Sequence, residues 1–202
     1  MALLIPASHS QAPRPRWRLL LLAVLASTSL LLPARAATAA GTTPEYQIKA
    51  VFLFNFAQFI EWPPAAFADP QAPLIIGVLG DDPFGASLDE TVRDEVIGPR
   101  KLVVQRYRRV EDITHCHILF ISPTEKRRLP QILESLRGAG VLTVSEMDQF
   151  TQFGGMINFF KQENTVRFEI NVEASRTAKL KISAKLLQVA KISEGLPERG
   201  KN

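Results

Sequence analysis

Apolar positions along the chain fall into blocks whose period changes several times. Residues 45–62 carry apolar side chains around most of a helical circumference, and at 100° per residue Gln47, Asn55, Gln58 and Glu61 fall on one narrow stripe. This pattern predicts a mostly buried helix that is too short and too polar to span a bilayer. Thr43 is the candidate N-cap, Pro44 suits the first helical position, and Pro63-Pro64 stops the helix. Leu74–Leu79 and His117–Ile121 are uninterrupted apolar runs of strand length, Lys101–Tyr107 is a further strand, and Val141–Val144 is a short one. Between them, Phe84–Asp94 and Glu125–Leu136 read as helices, the second closed by Gly138. Continuous apolar strands separated by helices predict a sheet covered on both faces.

The last third changes character. Met156–Lys161 and Val166–Val172 read as consecutive strands joined by the turn Gln162-Glu163-Asn164. Alternation in the second strand places Phe168, Ile170 and Val172 on one side and Arg167, Glu169 and Asn171 on the other. Residues 173–193 read as a final helix with Leu180, Ala184, Leu187 and Ala190 inward and Lys181 and Lys185 outward. The fold class is therefore α/β: a single-domain sandwich over 45–193 with a mixed sheet, mainly parallel, ending in an antiparallel hairpin and flanked by helices. Residues 37–44 read as a lead-in and 194–202 as a tail.

The N-terminus sets the expected compartment. Arg14, Arg16 and Arg18 precede the apolar run Leu19–Leu32, and Ala34-Arg35-Ala36 and Ala37-Thr38-Ala39 offer small-residue cleavage sites. This layout predicts a secretory signal peptide over 1–36, with cleavage as late as 39. The four arginines 14, 16, 18 and 35 account for the whole basic excess: 24 basic residues less four leaves 20, against 20 acidic. The mature chain is thus charge-balanced, and nothing global argues for nucleic acid or an anionic membrane as partner. A lone cysteine, Cys116, excludes an intramolecular disulfide, and its apolar surroundings in sequence mark it as a core residue.

Candidate chemistry is sparse. Asp81 and Asp82 follow an apolar strand at its carboxyl end, where open α/β sheets bind ligands, yet Asp82-Pro83 also suits an ordinary turn. His115 and His117 would share a face on a strand, but no third ligand lies near, so no metal site is predicted. Gly154-Gly155 is too short for a phosphate loop and reads as a tight approach to the hairpin. No catalytic motif is present, so neither enzymatic activity nor a cofactor is expected. Polar groups on core-forming elements, Asn55, Gln58 and Glu61 in one set and Arg167, Glu169 and Asn171 in another, either face water or rim a docking surface.

Several stretches together resemble the YfiR family: Lys49 to Phe56 continuing to Phe59-Ile60-Glu61-Trp62-Pro63, Gly77 to Gly85, Cys116 to Ile121, Gly154 to Phe159 with Val166 to Asn171, and Leu180 to Leu187. The resemblance implies a periplasmic, non-enzymatic regulator that binds the periplasmic domain of an inner-membrane diguanylate cyclase, holds it inactive and so lowers cyclic-di-GMP and biofilm output. It further implies an outer-membrane lipoprotein that sequesters the regulator. Paired cysteines of some members are missing here, which removes the basis for redox gating. Monomer and homodimer both remain compatible with the sequence. The alternative is a periplasmic small-ligand receptor using a strand-end pocket near Asp81.

Overall fold

The computed structural model describes residues 43–193. The segments expected to be a signal peptide, the start of the lead-in and the tail fall outside the described residues. In chain order the elements are α1 (Pro44–Phe59), β1 (Ile60–Glu61), β2 (Leu74–Leu79), α2 (Ala86–Val92), β3 (Val96–Ile97), β4 (Arg100–Tyr107), β5 (Ile118–Ile121), α3 (Leu129–Ser135), β6 (Leu142–Ser145), β7 (Ile157–Gln162), β8 (Thr165–Asn171), α4 (Val172–Thr177), β9 (Lys181–Ile182), α5 (Ala184–Val189) and β10 (Lys191–Ser193).

One eight-stranded sheet in the order β10-β8-β7-β6-β5-β2-β4-β3 organises the domain, and β1 pairs with β9 in a separate two-stranded ribbon. Neighbours from β4 through β7 run parallel. The β7–β8 hairpin and the β3–β4 pair are antiparallel. The predicted mixed α/β sandwich is therefore the fold, and the hydrophobic runs explain it. Every residue of β2, β5 and β6 is buried, as strands covered on both faces must be.

Each sheet face has its own core. On the first, α1, α2 and α5 cover Leu74, Ile76, Phe120, Phe159 and Phe168. Phe56 of α1 lies 5.8 Å from Phe159 and 5.2 Å from Phe168 between ring centroids, in stacked and edge-on contact, which adds orientation to the area buried. On the second face, α3 and the chain after β6, including Phe150, cover Leu79, Leu119 and Ile121.

Three departures from the predicted elements have identifiable causes. The expected helix over 173–193 is broken into α4, β9, α5 and β10. Lys179 adopts φ 60°, and the Leu180 and Lys179 N–H groups donate to the Ser175 and Arg176 carbonyls at 2.9 Å each. That is a Schellman end, normally signalled by glycine, built here on a lysine. The helix expected over 125–136 opens instead as a 3-10 segment, Pro123–Arg128, before α3, because Pro130 cannot donate an N–H to a longer α-helix. Finally, α1 ends at Phe59, and Ile60-Glu61 turn extended to pair with Ile182 and Lys181. Thr43 does stand at the N-cap of α1, but its side chain makes no capping bond.

The hairpin closes through Glu163 and Asn164, both at positive φ, the two-residue geometry that matches strand twist. Ahead of it, Gly155 packs on Phe150 so closely that a Cβ would sit 2.2 Å from the ring. The Gly-Gly pair thus serves the approach to the hairpin.

Candidate functional site

Helix α1 is turned inside out in charge. Its two charged residues, Glu45 and Lys49, point into the protein, and Lys49 is 3 % exposed. The Lys49 ammonium donates to Glu45 Oε1 (2.5 Å) and to Glu146, which follows β6 at the carboxyl end of the sheet. Tyr46 Oη also donates to Glu146 (2.7 Å), and Lys161 of β7 reaches Glu45 (2.6 Å). A buried ammonium would be costly alone, and the two carboxylates offset that cost. Burial by itself would raise the Glu45 carboxyl, but Lys161 and Lys49 outweigh it and hold it below its ordinary range. Burial and the acceptor Glu146 push the Tyr46 hydroxyl upward.

The other side of α1 presents Ile48 and Val51, each 48 % exposed, beside exposed Gln47 and Gln58 and half-buried Asn55. No charged side chain of α1 lies on this face. Of the seven large hydrophobics exposed among the described residues, four belong to this layer: Ile48, Val51, Val189 of α5 and Ile192 of β10. Ile192 is in register with Ile170, a core residue beneath α1, so it faces the same side of the sheet. Glu61 is exposed on β1, 3.9 Å from Lys181 of β9. The prediction that α1 is mostly buried is thus only half correct, and Ile48 and Val51 were missed because apolar residues were assigned inward. The i, i+4 spacing of Glu45 and Lys49 was the available signal that the charged side has its own partners.

The outer hairpin face differs from its prediction. Asn171 was expected to face outward with Arg167 and Glu169, but it is buried (4 % exposed). Its Oδ1 accepts from the Ala174 N–H (3.0 Å), capping α4, and its Nδ2 donates to the Thr151 carbonyl (2.9 Å). Glu169 is half-buried, accepts from Thr151 Oγ1 (2.7 Å) and lies 3.6 Å from Lys191. Only Arg167 of the three is freely exposed. The segment 147–151 covers this face, and alternation could not reveal that cover.

Asp81 and Asp82 do stand at the carboxyl end of β2, but they do not converge on a cavity. Asp82 accepts from the Phe84 N–H (2.7 Å) and pairs with Arg106 (2.7 Å), which also grips Asp89. Asp81 is exposed, and its N–H donates to Thr124 Oγ1 (3.3 Å). Three clefts, of about 420, 460 and 320 Å³, lie elsewhere, between α3 and α4 and around residues 65–75 and 110–117. His115 is exposed while His117 is buried and bonded at both ring nitrogens to backbone, so the two do not converge as ligands. Among the described residues no group of three His, Cys, Asp or Glu side chains could hold a metal ion, and no helix is long and apolar enough to cross a membrane. Cys116 is buried, its Sγ donates to the Ile118 carbonyl (3.1 Å), and burial pushes its thiol up to about 12. A thiol so held is a poor nucleophile at neutral pH.

No protein with a curated description matches the chain. The YfiR/HmsC-like family model matches residues 46–191, from α1 to the start of β10, so nearly the whole described domain is accounted for, and the chain belongs to the YfiR/HmsC-like family.

Proposed function

We propose that this protein is a non-enzymatic periplasmic regulator that binds and represses the periplasmic sensor domain of an inner-membrane diguanylate cyclase, with the outer face of α1 as the docking surface. Membership of the YfiR/HmsC-like family supports the class of partner. The observation that carries the surface is the exposure of Ile48 and Val51 on a helix whose only charges are turned inward. An uncharged apolar stripe costs little to desolvate, and interfaces are depleted of charge at their centre and polar at their rim. Asn55, Gln58 and Glu61 supply that rim, and of Arg167, Glu169 and Asn171 only the exposed Arg167 is available to join a partner. Asn171 drops out of the set because its hydrogen bonds are spent inside the domain. An outer-membrane lipoprotein that competes for the regulator would complete the switch.

The test is the double variant Ile48→Glu with Val51→Glu. Exposed positions contribute little to folding, so each change is expected to alter stability by no more than about 0.5 kcal/mol. Titration calorimetry against the cyclase's isolated periplasmic domain is expected to show binding weakened by roughly tenfold or more, a loss of at least about 1.4 kcal/mol. Full-strength binding by a variant that melts like the parent removes α1 as the docking surface.

A further inference from the structure

His117 sits where the connection between β1 and β2 returns to the amino end of the sheet, and both of its ring nitrogens are committed to backbone. Nδ1 accepts from the Ile75 N–H at 3.0 Å, which places the ring proton on Nε2, and Nε2 donates to the Ala66 carbonyl at 3.2 Å. One face of the ring stacks on Phe67, with centroids 4.4 Å apart and planes at 20°, and Trp62 stands edge-on at 6.1 Å. The Trp62 indole N–H closes the set by donating to the His117 carbonyl (3.3 Å). The residue is 3 % exposed. The neutral imidazole is thus one of the ties that hold segment 62–73 to the sheet, at its Ala66 and Phe67 end, and the ring is tied to one tautomer.

We propose that His117 is an acid-sensitive clamp: the neutral ring holds segment 62–73 against the amino end of the sheet, and a proton taken up at Nδ1 releases it. The geometry dictates the sign. A protonated Nδ1 is a donor facing another donor, the Ile75 N–H, so one bond of the clamp must break. The charged and titratable groups around the ring oppose protonation or are otherwise engaged. Arg100 of β4 lies with its guanidinium 3.5 Å from the Phe67 ring centre and donates to the Asp69 and Ala72 carbonyls of the same segment. His115 is the second cation-forming neighbour, and the Asp69 carboxylate is turned to the Gln71 N–H. Burial first, and then Arg100 and His115, lower the ring to about 4 from 6.5, against an upward pull from Ala66. A base weakened in the closed form binds its proton better in the open one. The clamp is therefore at full strength above about pH 6.5 and is lost as pH falls toward 4. Release would uncover Phe67 and Trp62 next to the end of α1. The clamp stands on its own geometry and is independent of the proposed partner.

Hydrogen exchange on the mature domain, expressed as protection relative to intrinsic rates, tests this at pH 7 and pH 5. In the parent, protection of the Ile75, Ala66 and Phe67 amides is expected to fall about twentyfold between the two pH values, the ratio set by a closed-form value of 4 and an open-form value of 6.5. Amides in β5 and β6 are expected to hold. His117→Asn, which keeps an acceptor near Nδ1 but cannot titrate, is expected to show no such pH dependence. An equal fall in the variant, or no fall in the parent, overturns the proposal. Should the variant not fold, ring titration of His117 in the parent by NMR decides: half-protonation below pH 5 agrees, and an ordinary value near 6.5 overturns it.

Discussion

The outer face of α1 and the outer face of the β7–β8 hairpin look alike in sequence, since both set polar residues against buried aromatic ones, yet they differ in what their polar groups do. On α1 the charges point inward to Glu146 and Lys161, and the exposed side is left to Ile48, Val51 and uncharged amides. On the hairpin, Glu169 and Asn171 are bound to Thr151, Ala174 and Lys191, so two of its three outward polar positions are used by the domain itself. The difference teaches that a docking face is recognised by what remains unsatisfied after folding. Polarity in the sequence does not identify it, because a neighbouring loop can use the same groups.

The comparison is tested most severely from beneath. Phe168 is 4 % exposed and meets Phe52 and Phe56 at 5.3 and 5.2 Å. Phe168→Ala is expected to cost about 3–5 kcal/mol by denaturant titration, and to lose partner binding only through unfolding. Such a loss at low denaturant with an unchanged midpoint would mean that the ring itself reaches the partner.

A smaller effect separates a structural hairpin face from a docking one. Asn171→Ala removes the α4 cap and leaves the Thr151 carbonyl without its donor, so a loss of about 1–3 kcal/mol is expected. Asn171→Asp keeps the capping oxygen and should recover part of it. If both variants melt like the parent, the buried bonds are not contributing and the residue returns to the docking set.

The smallest effects are the most discriminating. Arg167→Glu is expected to shift stability by no more than about 0.5 kcal/mol, because the side chain is exposed. Glu169→Arg, its mirror image in a diagram of alternation, should cost more, since it breaks the Thr151 bond and sets a cation beside Lys191. Equal thermal melts for the two would erase the distinction drawn between adjacent outward positions.

Much of the architecture was legible because its signals are local. Continuous apolar runs marked β2 and β5, and their number and separation by helices required a sheet covered twice. The hairpin followed from period-two alternation around a polar turn. Where local signals were ordinary, reading failed. Lys179 gives no hint of a left-handed helix end, and Asn171 is equally at home as a strand residue or as an N-cap, the role it takes here.

By itself, then, the chain determined its class, its core strands and the apolar excess of α1, all of which depend on the order of residues within one element. Only the tertiary structure decided which side of α1 is spent on Glu146 and which is left open, whether Glu169 is free, and that His117 holds Ala66, 51 positions before it. Those outcomes depend on partners 18 to about 100 positions away, and distance in sequence carries no information about which of many polar groups will meet.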